Sequence, residues 1–67
     1  MRPESERIEF LLRRDGREAT RRWVERTERL YSDALAEHRH YAADPAYRAR
    51  FERAVREFRD WLAPGVQ

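Results

Sequence analysis

At 67 residues the chain has room for one domain, and a domain this small hides only about 60% of the surface its unfolded chain exposes. Its 40% apolar fraction includes nine alanines, so the core is thin, yet 15 arginines against 13 acids leave a net charge of only +2, which favours a folded chain over a disordered one. The lack of cysteine excludes disulfide frameworks, thiolate zinc sites and thiol catalysis, and no run approaches the roughly 20 apolar residues of a membrane span.

The opening residues MRPESERIEF have no continuous apolar stretch of the signal-peptide kind, and the expected location is the cytoplasm. Pro3 suits a helix start, where a missing backbone N–H costs nothing, and Ile8, Leu11 and Leu12 then share one helical face. This first helix is expected to stop at Asp15-Gly16, with Gly16 in the left-handed conformation that closes helix ends. Phe10 falls roughly opposite the Ile8 stripe, so a lone helix cannot bury both.

From Arg17 to about His38 the chain reads as a long amphipathic helix. Thr20, Trp23, Thr27, Leu30 and Ala34 follow a 3-4-3-4 spacing, widened by Val24, Tyr31 and Leu35. The segment HRHYAAD has no apolar periodicity and serves as a connector. Asp44-Pro45 then reads as an N-cap followed by a first helical residue. Tyr47, Phe51, Ala54, Phe58 and Trp61 continue a third helix, flanked by Val55 and Leu62, until Ala63-Pro64-Gly65 ends the pattern. Two long helices with near-heptad stripes and a short connector fold back antiparallel, with the first helix across one end. The expected fold is therefore all-α, a short N-terminal helix plus a long antiparallel helical hairpin, as a single domain over residues 1–67.

The arginines invite a nucleic-acid reading, and their placement argues against it. Glu9→Arg13, Glu18→Arg22, Glu25→Arg29 and Glu52→Arg56 are i, i+4 pairs, extended by Arg21→Glu25, Arg48→Glu52, Arg53→Glu57 and Arg56→Asp60. Phosphate binding needs uncompensated positive charge instead. The local exception is a basic corner of Arg13, Arg14, Arg17, Arg21 and Arg22, set against Asp15 and Glu18 near the start of the second helix. That corner is the candidate site for an anion, a nucleic acid or an acidic partner. In a helix-turn-helix arrangement the recognition helix would present Trp23, Val24 and Leu30, which read as core.

Glu37, His38, His40 and Asp44 are of metal-ligand type, but a two-residue spacing points His38 and His40 roughly 200° apart on a helix, so no metal site is expected. A cation at His38 would instead favour the negative end of the second helix. Ser5 and Ser32 have no suitably spaced histidine, and two glycines cannot build a phosphate loop; no enzymatic activity and no cofactor are expected. Eight aromatics exceed the evident needs of so small a core. Phe10, Tyr31, Tyr41 and Tyr47 are the candidate interface residues, since aromatic side chains dominate many interfaces. The expected function is a helical protein–protein interaction module, an accessory or adaptor to a larger protein or complex, self-associating as a homo-oligomer, with no membrane partner. The alternative is an anion- or nucleic-acid-binding module using the basic corner.

Overall fold

The computed structural model describes residues 3–38 and 44–63, of which 91% are helical and none lies in a strand. The helices are α1 (Glu4–Asp15), α2 (Arg17–Glu37) and α3 (Pro45–Leu62). Helix α2 packs most extensively against α3, and α1 packs against both. The all-α three-helix arrangement read from the periodicity is the observed one. At 1.5 Å per residue the 21 residues of α2 run about 31 Å, close to the 33 Å long axis of the molecule.

Each helix end has a local cause. Pro3 sits one residue outside α1, at the N-cap, with its carbonyl accepting from the Glu6 N–H at 3.2 Å. Glu4 and Glu6 in the first turn and Arg13 and Arg14 in the last complement the α1 dipole. Gly16 is at once the C-cap of α1 and the N-cap of α2. Its N–H donates to Leu12 at 3.1 Å, and its carbonyl accepts from the Thr20 N–H at 3.2 Å and the Thr20 hydroxyl at 2.7 Å. Its backbone, at φ 88° and ψ 170°, lies outside the expected left-handed helical region, in an extended mirror-image region that is essentially reserved for glycine. Asp44 caps α3 as expected, accepting from the Ala46 N–H at 2.9 Å ahead of Pro45.

Phe58, Val24, Ile8 and Ala54 form the buried centre, one or more from each helix, with Leu12, Trp23, Tyr31, Trp61 and Leu62 packed around them. The Phe58 ring meets Trp23 edge-on at 5.8 Å and Tyr31 at 5.9 Å, and Tyr31 also meets Phe51 at 4.9 Å. The early part of α3 thus faces the late part of α2, and the late part of α3 faces its early part, which makes the pair antiparallel. Ile8 joins the cluster at the end where α2 begins and α3 finishes, so α1 covers the end of the hairpin away from the connector.

The inward line of α2 differs from the expected one at Leu30, which is 61% exposed. Thr20, Val24, Thr27, Tyr31 and Ala34 are the residues turned inward, with Trp23 on the flank. Leu30 lies about 100° around the helix from Tyr31, and the larger aromatic takes the place facing Phe51 and Phe58.

Candidate functional site

The five arginines of the basic corner stand on the last turn of α1 and the first turns of α2, and all are exposed. Arg14 is engaged by its own neighbour: Nε and Nη2 donate to the two Asp15 carboxylate oxygens at 3.0 and 2.8 Å. That hydrogen bonding holds the Asp15 carboxyl below its ordinary range and the Arg14 guanidinium above its own. Arg22 pairs with Glu18 at 3.2 Å and Arg21 with Glu25 at 3.7 Å. Three of the five therefore meet an opposite charge inside the chain. Arg13 and Arg17 have no ion pair among the described residues.

The three candidate interface aromatics among the described residues stand apart from one another. Phe10, 51% exposed on α1, carries the Arg14 guanidinium over its ring at 5.3 Å. Tyr47, 41% exposed at the start of α3, carries Arg50 in the same way at 5.3 Å. Tyr31 is half-buried inside the hairpin against Phe51 and Phe58. Tyr41 lies outside the described residues, as does His40.

His38 forms the C-cap of α2 in left-handed backbone at φ 52°. Arg48 of α3 reaches this end: its Nη1 donates to the Leu35 carbonyl at 3.0 Å and lies 3.2 Å from His38 Nδ1. A guanidinium can only donate, so Nδ1 is the acceptor of that contact. Among the described residues no group of three His, Asp or Glu side chains is placed to hold a metal ion, and no described helix is long and apolar enough to cross a membrane.

The feature with most capacity for recognition was not singled out from the sequence. Ile8 and Leu12 of α1 and Trp61 of α3 floor a groove of about 530 Å³, edged by Ser5, Glu9, Glu57 and Asp60. It exists because α1, tethered to α2 through one residue, covers α2 more fully than α3. Its edge is acidic because the expected Glu9→Arg13, Arg53→Glu57 and Arg56→Asp60 pairs do not form. Of the eight i, i+4 pairs read along the chain, Glu18–Arg22, Arg21–Glu25 and Arg48–Glu52 are made, at 3.2, 3.7 and 3.9 Å. The only sequence signal for the groove was the presence of both Leu11 and Leu12 on α1: Leu11 is buried, whereas Leu12 is left half-covered.

A second shallow depression, of about 650 Å³, runs along the outer face of α2, where Leu30 stands among Arg22, Arg26 and Arg29 with Leu62 of α3 at its side. Arg26 and Arg29 have no ion pair among the described residues. The acids Glu25, Glu28 and Asp33 line the same depression, so its described border is mixed in charge, whereas the charged residues described at the edge of the α1–α3 groove are all acidic. The chain matches no protein-family model, and no curated protein or solved structure shows significant similarity to it.

Proposed function

We propose that this chain is a non-catalytic, self-associating protein-interaction module that acts in the cytoplasm as an accessory or adaptor to a larger protein or complex. The observation that supports the reading is the groove of about 530 Å³ between α1 and α3, lined among the described residues by Ile8, Leu12 and Trp61 and edged by Ser5, Glu9, Glu57 and Asp60. Apolar surface of this kind, bordered by polar residues, is the usual mark of a protein-binding site. A small domain also gains from association, because whatever binds only the folded state stabilises it by mass action.

Sedimentation velocity of the purified chain, from micromolar to near-millimolar concentration, tests the reading directly. The weight-average sedimentation coefficient is expected to rise with concentration, and the melting temperature with it. A coefficient that stays at the monomer value throughout overturns self-association.

A further inference from the structure

We infer that the outward face of α1 pairs with the same face of a second copy of this chain in antiparallel register, with Phe10 beside Phe10 and Glu6 of each molecule opposite Arg13 of the other. This inference rests on the self-association proposed above and assigns it a face and a symmetry. Glu4, Ile8 and Leu11 are the buried residues of α1 and mark the side that packs against α2 and α3. At about 100° per residue, Glu6, Phe10 and Arg13 fall within about 60° of one another on the opposite side. All three are exposed. Phe10 stays 51% exposed although the Arg14 guanidinium lies over its ring, so this face has an aromatic side chain in solvent near its middle.

The charges around Phe10 are sorted along the helix axis. Before it stand Glu6 and Glu9, neither with an ion pair among the described residues. Arg7, which also borders this face, is turned to its own molecule: Nη1 lies 3.5 Å from Glu4, and the guanidinium sits over the Trp23 ring at 6.0 Å. After Phe10, Arg13 has no ion pair among the described residues, while Asp15 is held by Arg14 at 2.8 and 3.0 Å. The unpaired charge of α1 is therefore negative ahead of Phe10 and positive behind it.

A face with that polarity is its own complement only when two copies run antiparallel. In a parallel pair Glu6 meets Glu6 and Arg13 meets Arg13, and like charges brought together cost affinity. A twofold axis across the midpoint of the stretch from Glu6 to Arg13, about 10.5 Å long at the helical rise, sets each Glu6 against an Arg13. Phe10 lies half a residue beyond that midpoint, so the same register offsets the two rings by about 1.5 Å along the helices. Offset rings are an arrangement that aromatic pairs prefer. One register thus makes both ion pairs and the ring contact. The contact is isologous and closes at two copies, with α2 and α3 of each molecule behind its own α1. Little more than two turns of helix from each copy take part, which is below the footprint of a tight complex, so the dimer belongs to the range of about 0.1–1 mM.

Sedimentation equilibrium up to near-millimolar concentration, with charge-swapped variants, tests the pairing. Glu6→Arg and Arg13→Glu are both at exposed positions, and unchanged helical circular dichroism and melting at low concentration establish that each variant is folded. Each variant alone sets like charges against each other at both ends of the contact and is expected to associate at least about tenfold more weakly than the unsubstituted chain. Mixed in equal amounts, the two variants make opposite charges meet at both ends and are expected to recover association. The double variant Glu6→Arg with Arg13→Glu restores both pairs within one sequence and leaves the net charge at +2, so its expected recovery isolates placement from total charge. Phe10→Ala is expected to weaken association by at least about tenfold without loss of helix. Single variants that associate as tightly as the unsubstituted chain, or a mixture or double variant no tighter than the single variants, overturn this geometry while leaving self-association through another face standing. An unsubstituted chain that is monomeric at every concentration overturns both.

Discussion

Arg59 reaches across the hairpin to Glu28, its Nε donating to the carboxylate at 3.1 Å. Its Nη2 donates to the Ser32 hydroxyl at 3.2 Å, and that hydroxyl donates to the same Glu28 oxygen at 2.7 Å. Among the described residues this is the one ion pair that joins two helices. The Ser32 hydrogen bond first, and Arg59 after it, hold the Glu28 carboxyl below its ordinary range against the opposing effect of burial.

The sign of the pH dependence follows. A carboxylate whose folded value is depressed contributes stability above its unfolded value, and that contribution disappears as pH falls through the folded value. Acid should therefore loosen the hairpin at this point, and Glu28→Gln should remove that part of the pH dependence. Because Arg59 is largely exposed, the pair is worth about 0.5–1 kcal/mol, reduced further by salt. Thermal melts of both chains, from neutral pH down through the carboxylate range, provide the check. Equal melting temperatures at neutral pH would deny the pair any net contribution.

Glu4 runs the other way. It is only 7% exposed, and its Oε2 is buried without a hydrogen bond, with Arg7 at 3.5 Å in a longer ion pair. Burial raises its carboxyl value, Arg7 pulls it down and the nearby Glu57 adds to the rise. A carboxyl raised on folding contributes stability at low pH that is lost as pH rises through the folded value. Removing the charge should thus help at neutral pH. An unsatisfied buried polar group costs about 1–3 kcal/mol, while the lost favourable charge at the helix start is worth about 0.3–1 kcal/mol. Glu4→Met is expected to stabilise by about 1 kcal/mol at neutral pH, with the gain shrinking as pH falls. Denaturant melts at neutral and acid pH decide this, and a destabilised variant at neutral pH contradicts it.

The three helices were legible because their ends are written in residues with local effects: Gly16, Asp44 and Pro45 do at short range what the backbone requires there. The groove was not legible, because periodicity states which side of each helix turns inward and leaves open how far a third helix closes over the other two. Leu30 shows the same limit on a smaller scale. A 3-4 repeat admits two neighbouring lines on α2, and only the packing of Tyr31 against Phe51 and Phe58 chooses between them. The ion-pair ladders were over-read for a related reason: an acid with an arginine four residues to either side can face only one of them, and Glu25 takes Arg21 instead of Arg29.

Gly16 carries the turn between α1 and α2 on its backbone conformation alone. A Cβ there would meet nothing within 4 Å, so a substitution costs no steric overlap with the rest of the chain. At φ 88° and ψ 170° the cost is entirely in the dihedral angles, which an L side chain disfavours by about 1–3 kcal/mol. Gly16→Ala should lower stability by that amount, and a D-alanine introduced by synthesis should restore most of it, since its mirror-image preference matches this region. Equal melting temperatures for the L and D forms would place the cause elsewhere.

The heaviest single loss is expected at Phe58. Its side chain is fully buried and touches aromatic rings on both sides, Trp23 and Tyr31. Truncating such a residue costs about 3–5 kcal/mol, against a total of about 3–10 kcal/mol for a domain of this size. The helices cannot persist on propensity, because isolated helices shorter than about 12–15 residues are marginal in water and longer ones are only partly formed. Phe58→Ala is therefore expected to lose most of its helical circular dichroism at room temperature and to melt without a sharp transition. Phe10→Ala is the matched control: half of Phe10 is already in water, and its loss should change stability by less than about 0.5 kcal/mol. If the two variants melted alike, the core would have to be centred somewhere other than on Phe58.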